Sequence, residues 1–213
     1  MGTAATDKTP QCDDDQLKQC IIAASTSVWG VPEMFPAQLD TVYHLLHPTC
    51  PNHLAVIQQT GAGKTHILRT LGVIERGIVP IFIPLLTMST NVMSKFTSAS
   101  MHFRTVILQH LNELFDYNRN AYRALLERCR ALLRSRTMTL FIFLSPRFVI
   151  NHPDAREVFI ECSNRTTLWV VTLDEAHIHV QHGMSFRSEI CALQTLFFST
   201  RLHFPVFEQD LFL

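Results

Sequence analysis

The sequence predicts an α/β domain in three layers, a mainly parallel sheet with helices packed on both faces. Four short apolar runs, at residues 53–57, 78–83, 138–144 and 168–173, are rich in β-branched and aromatic side chains, the composition of strands buried on both sides. Stretches of helical periodicity separate these runs, and strands joined through helices pair in parallel. A glycine-containing turn, Thr60-Gly61-Ala62-Gly63-Lys64-Thr65, connects the first run to the first of those helices.

Taken in order, residues 1–27 begin with a polar stretch that includes Asp13, Asp14 and Asp15 in a row, and they are expected to form a disordered lead. The folded domain then spans 28–213. After the run at 53–57, Ile67, Leu71 and Ile74 recur at i, i+4 and i+7, one face of a helix, and Gly77 stands where a C-cap would sit. The run at 78–83 follows, which makes a strand, loop, helix and strand. A longer helical stretch over 101–134 is expected to break near Asp116-Tyr117-Asn118, ahead of the runs at 138–144 and 168–173.

The chain has 213 residues, 47% of them hydrophobic, enough for one domain with a sizeable core. Lys plus Arg and Asp plus Glu both number 18, so no overall basic excess points to nucleic acid and any such site must be local. The 6 cysteines are scattered without a CxxC pair, which predicts free thiols in a reducing compartment. No apolar run of about 18 residues is present to span a membrane. These features predict an intracellular protein, of nucleus or cytoplasm, with no membrane partner.

The chemistry is carried by two elements. In the turn 60–65 the glycines let the backbone fold tightly, so that successive N–H groups and a helix N-terminus surround a phosphate chain. Lys64 reaches the β and γ phosphates and Thr65 offers its hydroxyl to magnesium. The strict form of this pattern has glycine where this chain has Gln58. The second element is Leu173-Asp174-Glu175-Ala176-His177, at the end of the fourth apolar run. Parallel strands deliver their C-terminal residues to one edge, so Asp174 is placed to hold the metal and Glu175 to polarise an attacking water. The cofactors this predicts are ATP and Mg2+.

Residues 174–177 spell a DEAH box, and a phosphate loop of the form TGxGKT resembles superfamily 2 helicases; the likeness is greatest to RecQ-type DNA helicases. In that family the box continues DEAHCISQWGHDFRPEY, and here the chain reads DEAHIHVQHGMSFRSEI, keeping Gln181, Gly183, Phe186, Arg187 and Glu189. Pro84-Leu85-Leu86-Thr87-Met88 resembles the family's PLISLM segment, Ser145-Pro146 its SPE segment, and Phe35-Pro36-Ala37-Gln38 its FRxxQ element. The resemblance runs from about residue 30 to the end. It implies a RecA-like first lobe of an ATP-dependent 3'-5' DNA helicase, in which Gln38 reads the adenine edge and His177 links the ATP site to a neighbouring motif. It further implies that Pro84, Leu85, Thr87 and Ser145 touch the phosphates of a single DNA strand, and that the loop with Gln181, Phe186 and Arg187 reports DNA binding to the ATPase site.

The chain departs from the family at His182, where the loop has tryptophan, and at Arg147, where SPE has glutamate. Residues 205–213 resemble the approach to the strand that carries the family's third motif, so the sheet is expected to lack a strand at its C-terminal end. A second lobe with its arginine finger is also expected to be absent. The alternative reading is a truncated nucleotide-binding or DNA-binding module without helicase activity of its own.

Two further patterns are read plainly. His177 and His179, at i and i+2 on a loop, lack metal-site spacing. The arginines at 119, 123, 128, 130, 134 and 136 are interleaved with Glu127 and are expected to form a solvated helix face more readily than a phosphate track.

Overall fold

The computed structural model describes residues 14–47, 53–56, 62–83, 106–132, 137–164, 171–173 and 206–209. In chain order the elements are α1 (Asp14–Trp29), α2 (Pro36–Leu46), β1 (His53–Val56), α3 (Lys64–Glu75), β2 (Gly77–Phe82), β3 (Val106–His110), α4 (Leu111–Tyr117), α5 (Arg119–Leu132), β4 (Thr139–Leu144), α6 (Pro146–Asn151), α7 (Pro153–Asn164), β5 (Val171–Leu173) and β6 (Val206–Gln209). The strands form one 6-stranded sheet in the order β1-β6-β5-β2-β4-β3, and every adjacent pair is parallel. The protein is thus mixed α/β, as the alternation of apolar runs and helical periodicity predicts.

Strand alternation builds two cores. On one face, Ile78 and Phe82 of β2 and Leu140, Ile142 and Leu144 of β4 pack with Leu125 and Cys129 of α5, Phe148 of α6 and Phe159 of α7. The other face presents Val79, Ile81, Phe141 and Phe143 to Ile21 of α1, Val42 and Leu45 of α2, and Ile67 and Leu71 of α3. Chain direction explains this division. The connection from β1 through α3 to β2 crosses the sheet one way, whereas those from β3 through α4 and α5, and from β4 through α6 and α7, run back. Right-handed crossovers travelling in opposite directions cover opposite faces.

Pro80 lies within the central strand β2, a position proline normally avoids because it brings no N–H. Gly77 and Ile83 donate to Met138 and Leu144 beside β4, so the odd-numbered residues of β2 aim their N–H groups at β4 and the even ones at β5. The missing donor of Pro80 therefore falls on the β5 side, where among the described residues the pairing starts at the next residue, Ile81 with Thr172.

Four differences from the sequence reading have local causes. The expected disordered lead, 1–27, contains most of α1; Ile21, Ser25 and Trp29 recur every four residues as a narrow buried stripe, and Asp14 and Asp15 sit in the first turn, where acidic side chains oppose the helix dipole favourably. The stretch 101–134 contains a strand, β3, before its two helices, and the expected break falls at Asn118, whose side-chain oxygen accepts from Ala121 N–H at 3.0 Å. Gly77 is the first residue of β2 with φ 128°, and the cap of α3 is Arg76, with φ 49°. Part of the expected strand approach at 205–213 is itself a strand: β6 lies between β1 and β5 and pairs with both, so no gap is left there.

No helix among the described residues is long and apolar enough to cross a membrane. Among the described residues, Cys20, Cys129 and Cys162 are free thiols. Of the clustered arginines, Arg134 and Arg136 lie outside the described residues. Arg123 and Arg128 are exposed, and Arg130 pairs with Glu127 at 2.6 Å and Glu161 at 3.5 Å.

Candidate functional site

All strands are parallel, so their C-terminal ends share one edge of the sheet. Leu173, the last residue of β5, is level with Glu208 of β6, and Glu208 is level with Ala55, one residue before β1 ends. The two strands are separated only by β6, hence by about 10 Å. β1, which precedes the turn 60–65, and β5, which precedes Asp174, accordingly end within one residue of the same level on one edge. Asp174, Glu175 and His177 lie outside the described residues, as do Thr60, Gly61, Pro84, Leu85, Thr87, Gln181, Phe186 and Arg187.

The second half of the turn is described. Gly63 is the N-cap of α3 in the left-handed region, φ 80° and ψ 29°, and Lys64 opens the helix. A left-handed residue followed by a right-handed one turns successive N–H groups into a shared concavity that suits an anion. Lys64 is 9% exposed, and no acidic residue occupies the first turn of α3. Thr65 is half-buried.

Gln38 braces this turn from α2. Its amide nitrogen donates to the carbonyl of Ala62 at 2.8 Å and to that of Gly63 at 3.3 Å. Its oxygen accepts from the N–H of Phe35, the N-cap of α2, at 3.1 Å. The side chain is 4% exposed, and reading an adenine edge requires that some of these bonds be exchanged. A Cβ on Gly63 would collide with the Gln38 amide nitrogen, so a side chain here would displace the glutamine as well as strain the backbone at φ 80°.

A second brace comes from α1. The Ser25 hydroxyl donates to the carbonyl of Val31 at 2.9 Å and lies 2.8 Å from His66 Nε2. With its proton committed to Val31, Ser25 accepts from an Nε2–H, which leaves Nδ1 of His66 unprotonated and, among the described residues, without a partner. Burial, with a smaller contribution from Arg69, lowers the His66 pKa to about 4. Next along α3, the Arg69 guanidinium stacks 4.1 Å from the centre of the Trp29 ring, and burial lowers its pKa. Neither the Ser25–His66 contact nor the Trp29–Arg69 contact is visible in the sequence, because each joins residues about 40 positions apart.

The Ser145-Pro146 turn lies at the C-terminal end of β4, on the same sheet edge. Ser145 caps α6, accepting from Phe148 N–H at 3.3 Å, and it also accepts from the Asn112 amide at 3.1 Å while its own N–H donates to Asn112 Oδ1 at 3.1 Å. Both acceptor positions of the hydroxyl are used, and its proton points elsewhere. Neighbouring His110 caps α4 by accepting from Glu113 N–H at 3.2 Å, and burial lowers its pKa. Asn112 and His110 are positioning groups that the sequence reading did not find.

Of the residues expected to bind the nucleotide, Gln38, Ala62, Gly63, Lys64 and Thr65 are brought together; Ser145, directly after β4, lies beyond β2 on the same edge. Among the described residues no group of three His, Cys, Asp or Glu is arranged to hold a metal. No protein-family model matches the chain, and no curated protein matches it.

Proposed function

We propose that this chain is the nucleotide-binding lobe of a RecA-like, RecQ-type ATP-dependent DNA helicase, binding MgATP at the turn 60–65 and single-stranded nucleic acid along the neighbouring strand ends. The observation that carries the reading is the turn at Gly63 and Lys64: a left-handed glycine, φ 80° and ψ 29°, caps the helix that Lys64 opens, so that successive N–H groups form a concavity suited to an anion. A cation at the first position of a helix opposes the helix dipole. An anion seated against the Gly63 and Lys64 N–H groups reverses that penalty, and a phosphate chain is such an anion.

In this reading the Lys64 ammonium neutralises the β and γ phosphates, and the backbone N–H groups orient them. Thr65 and Asp174 hold magnesium, which when bound supplies charge neutralisation on the phosphate oxygens. A hydroxyl and one carboxylate fit that ion, because magnesium is commonly held by one or two protein groups together with the phosphates themselves. Glu175 orients the attacking water, and His177 links that site to its neighbour. The hydroxyl proton of Ser145 suits a nucleic-acid phosphate oxygen, alongside Pro84, Leu85, Thr87, Gln181, Phe186 and Arg187 as the resemblance implies.

The test is binding of a fluorescent ATP analogue with magnesium. Lys64→Ala should weaken it by roughly tenfold or more. Equal affinity of mutant and parent overturns the assignment of the phosphate loop.

A further inference from the structure

We propose that Gln38 is a positioning residue for the phosphate loop, which it sets through backbone carbonyls, and that its contribution to nucleotide affinity is made at the triphosphate and not at the base. The inference rests on the phosphate-loop reading above and assigns one residue's part in it. In a trans peptide the N–H lies antiparallel to the C=O. Holding the carbonyl of Ala62 therefore aims the N–H of Gly63 away from Gln38, and holding the carbonyl of Gly63 does the same for the N–H of Lys64. The two bonds at 2.8 and 3.3 Å thus fix two successive donors on the side opposite α2. The carbonyl of Gly63 also accepts from His66 N–H at 2.8 Å, which ties the same peptide to the first turn of α3.

Gln38 is well placed for this and poorly placed for a base. Its amide oxygen is engaged by Phe35 N–H, so the oxygen and nitrogen both have partners and the side chain cannot flip without exchanging both sets. It is 4% exposed, and α2 is anchored behind it by Val42 and Leu45, which are 0% and 5% exposed and pack with Ile67, Leu68 and Leu71 of α3. Moving Gln38 toward a purine costs the loop its two carbonyl bonds at the moment the phosphates need the opposing N–H groups.

The probes are inorganic tripolyphosphate, MgATP and MgGTP, measured by calorimetry on the parent chain, Gln38→Ala and Gln38→Glu, with thermal unfolding to establish that each variant is folded. Glutamate keeps the shape and loses both donors, so it separates the bonds from the packing. The expected result is a loss of about tenfold for all three ligands in both variants, with the ATP to GTP ratio of the parent retained. Unchanged tripolyphosphate affinity together with a loss confined to ATP overturns the proposal and makes Gln38 a base reader. A parent chain that binds none of the three overturns the phosphate-loop reading itself, and this proposal with it.

Discussion

Replacing Gly63 with alanine tests how the turn is held, and its cost can be assembled from the structure. At φ 80° and ψ 29° an alanine sits in the left-handed region at a penalty of about 1–2 kcal/mol. Its Cβ would stand 2.2 Å from the Gln38 amide nitrogen, the far end of a flexible side chain, so the glutamine yields and not the backbone. Yielding forfeits the bonds to Ala62 and Gly63, at about 1 kcal/mol each. The sum is about 3–4 kcal/mol, measured by urea unfolding with an unchanged denaturant slope. In a Gln38→Ala background the collision and the bonds are both gone, so Gly63→Ala should cost only the backbone part. The double-mutant cycle should therefore show a coupling of about 2 kcal/mol. Additive effects of the two substitutions would refute the latch between α2 and the loop, even if each alone destabilised the fold.

Two further perturbations probe the supporting structure. Gly72→Ala puts a Cβ 2.5 Å from Cζ of Phe141, which is fully buried, and 3.1 Å from Thr139; overpacking should outweigh the gain in helix propensity and destabilise by about 1–2 kcal/mol, whereas a rise in stability would refute the close α3–β4 contact. His66 has a pKa lowered from 6.5 to about 4, so it is neutral in the fold and takes up a proton more readily once unfolded. Its contribution is present above pH 6.5, is lost as the pH falls toward 4, and amounts to roughly 3 kcal/mol. An imidazole titration followed by NMR should place the His66 midpoint near 4, and a midpoint near 6.5 would refute the buried Ser25–His66 pair.

The fold class was legible in the chain because a central parallel strand must be apolar on both faces. The runs at 78–83 and 138–144 correspond to strands buried along their whole length, and the break at Asn118 was equally local. The turn 60–65 stands out in the chain because the proposed phosphate and magnesium chemistry calls for fixed residue types at fixed spacing; residues 174–175, read on the same ground, lie outside the described residues. α1 was misread because a helix anchored by one buried residue in four resembles a polar lead until its partner is known. β3 escaped because it runs directly into α4, so its apolar residues merge with the helical stretch, and β6 because only two of its 4 residues are apolar.

What the sequence determined by itself was the set of local requirements: which segments must be buried, where the backbone needs glycine, and which side chains could meet a phosphate. Only the tertiary structure decided how the pieces serve each other. Gln38 meets Ala62 and Gly63 across about 25 residues, and Ser25 meets His66 across 41. Such pairs leave no spacing in the chain, because they depend on how α1 and α2 pack against α3. The physical reason is that periodicity reports only the faces of single elements, whereas the orientation of a loop is set by hydrogen bonds from whichever neighbour the packing of the core brings beside it.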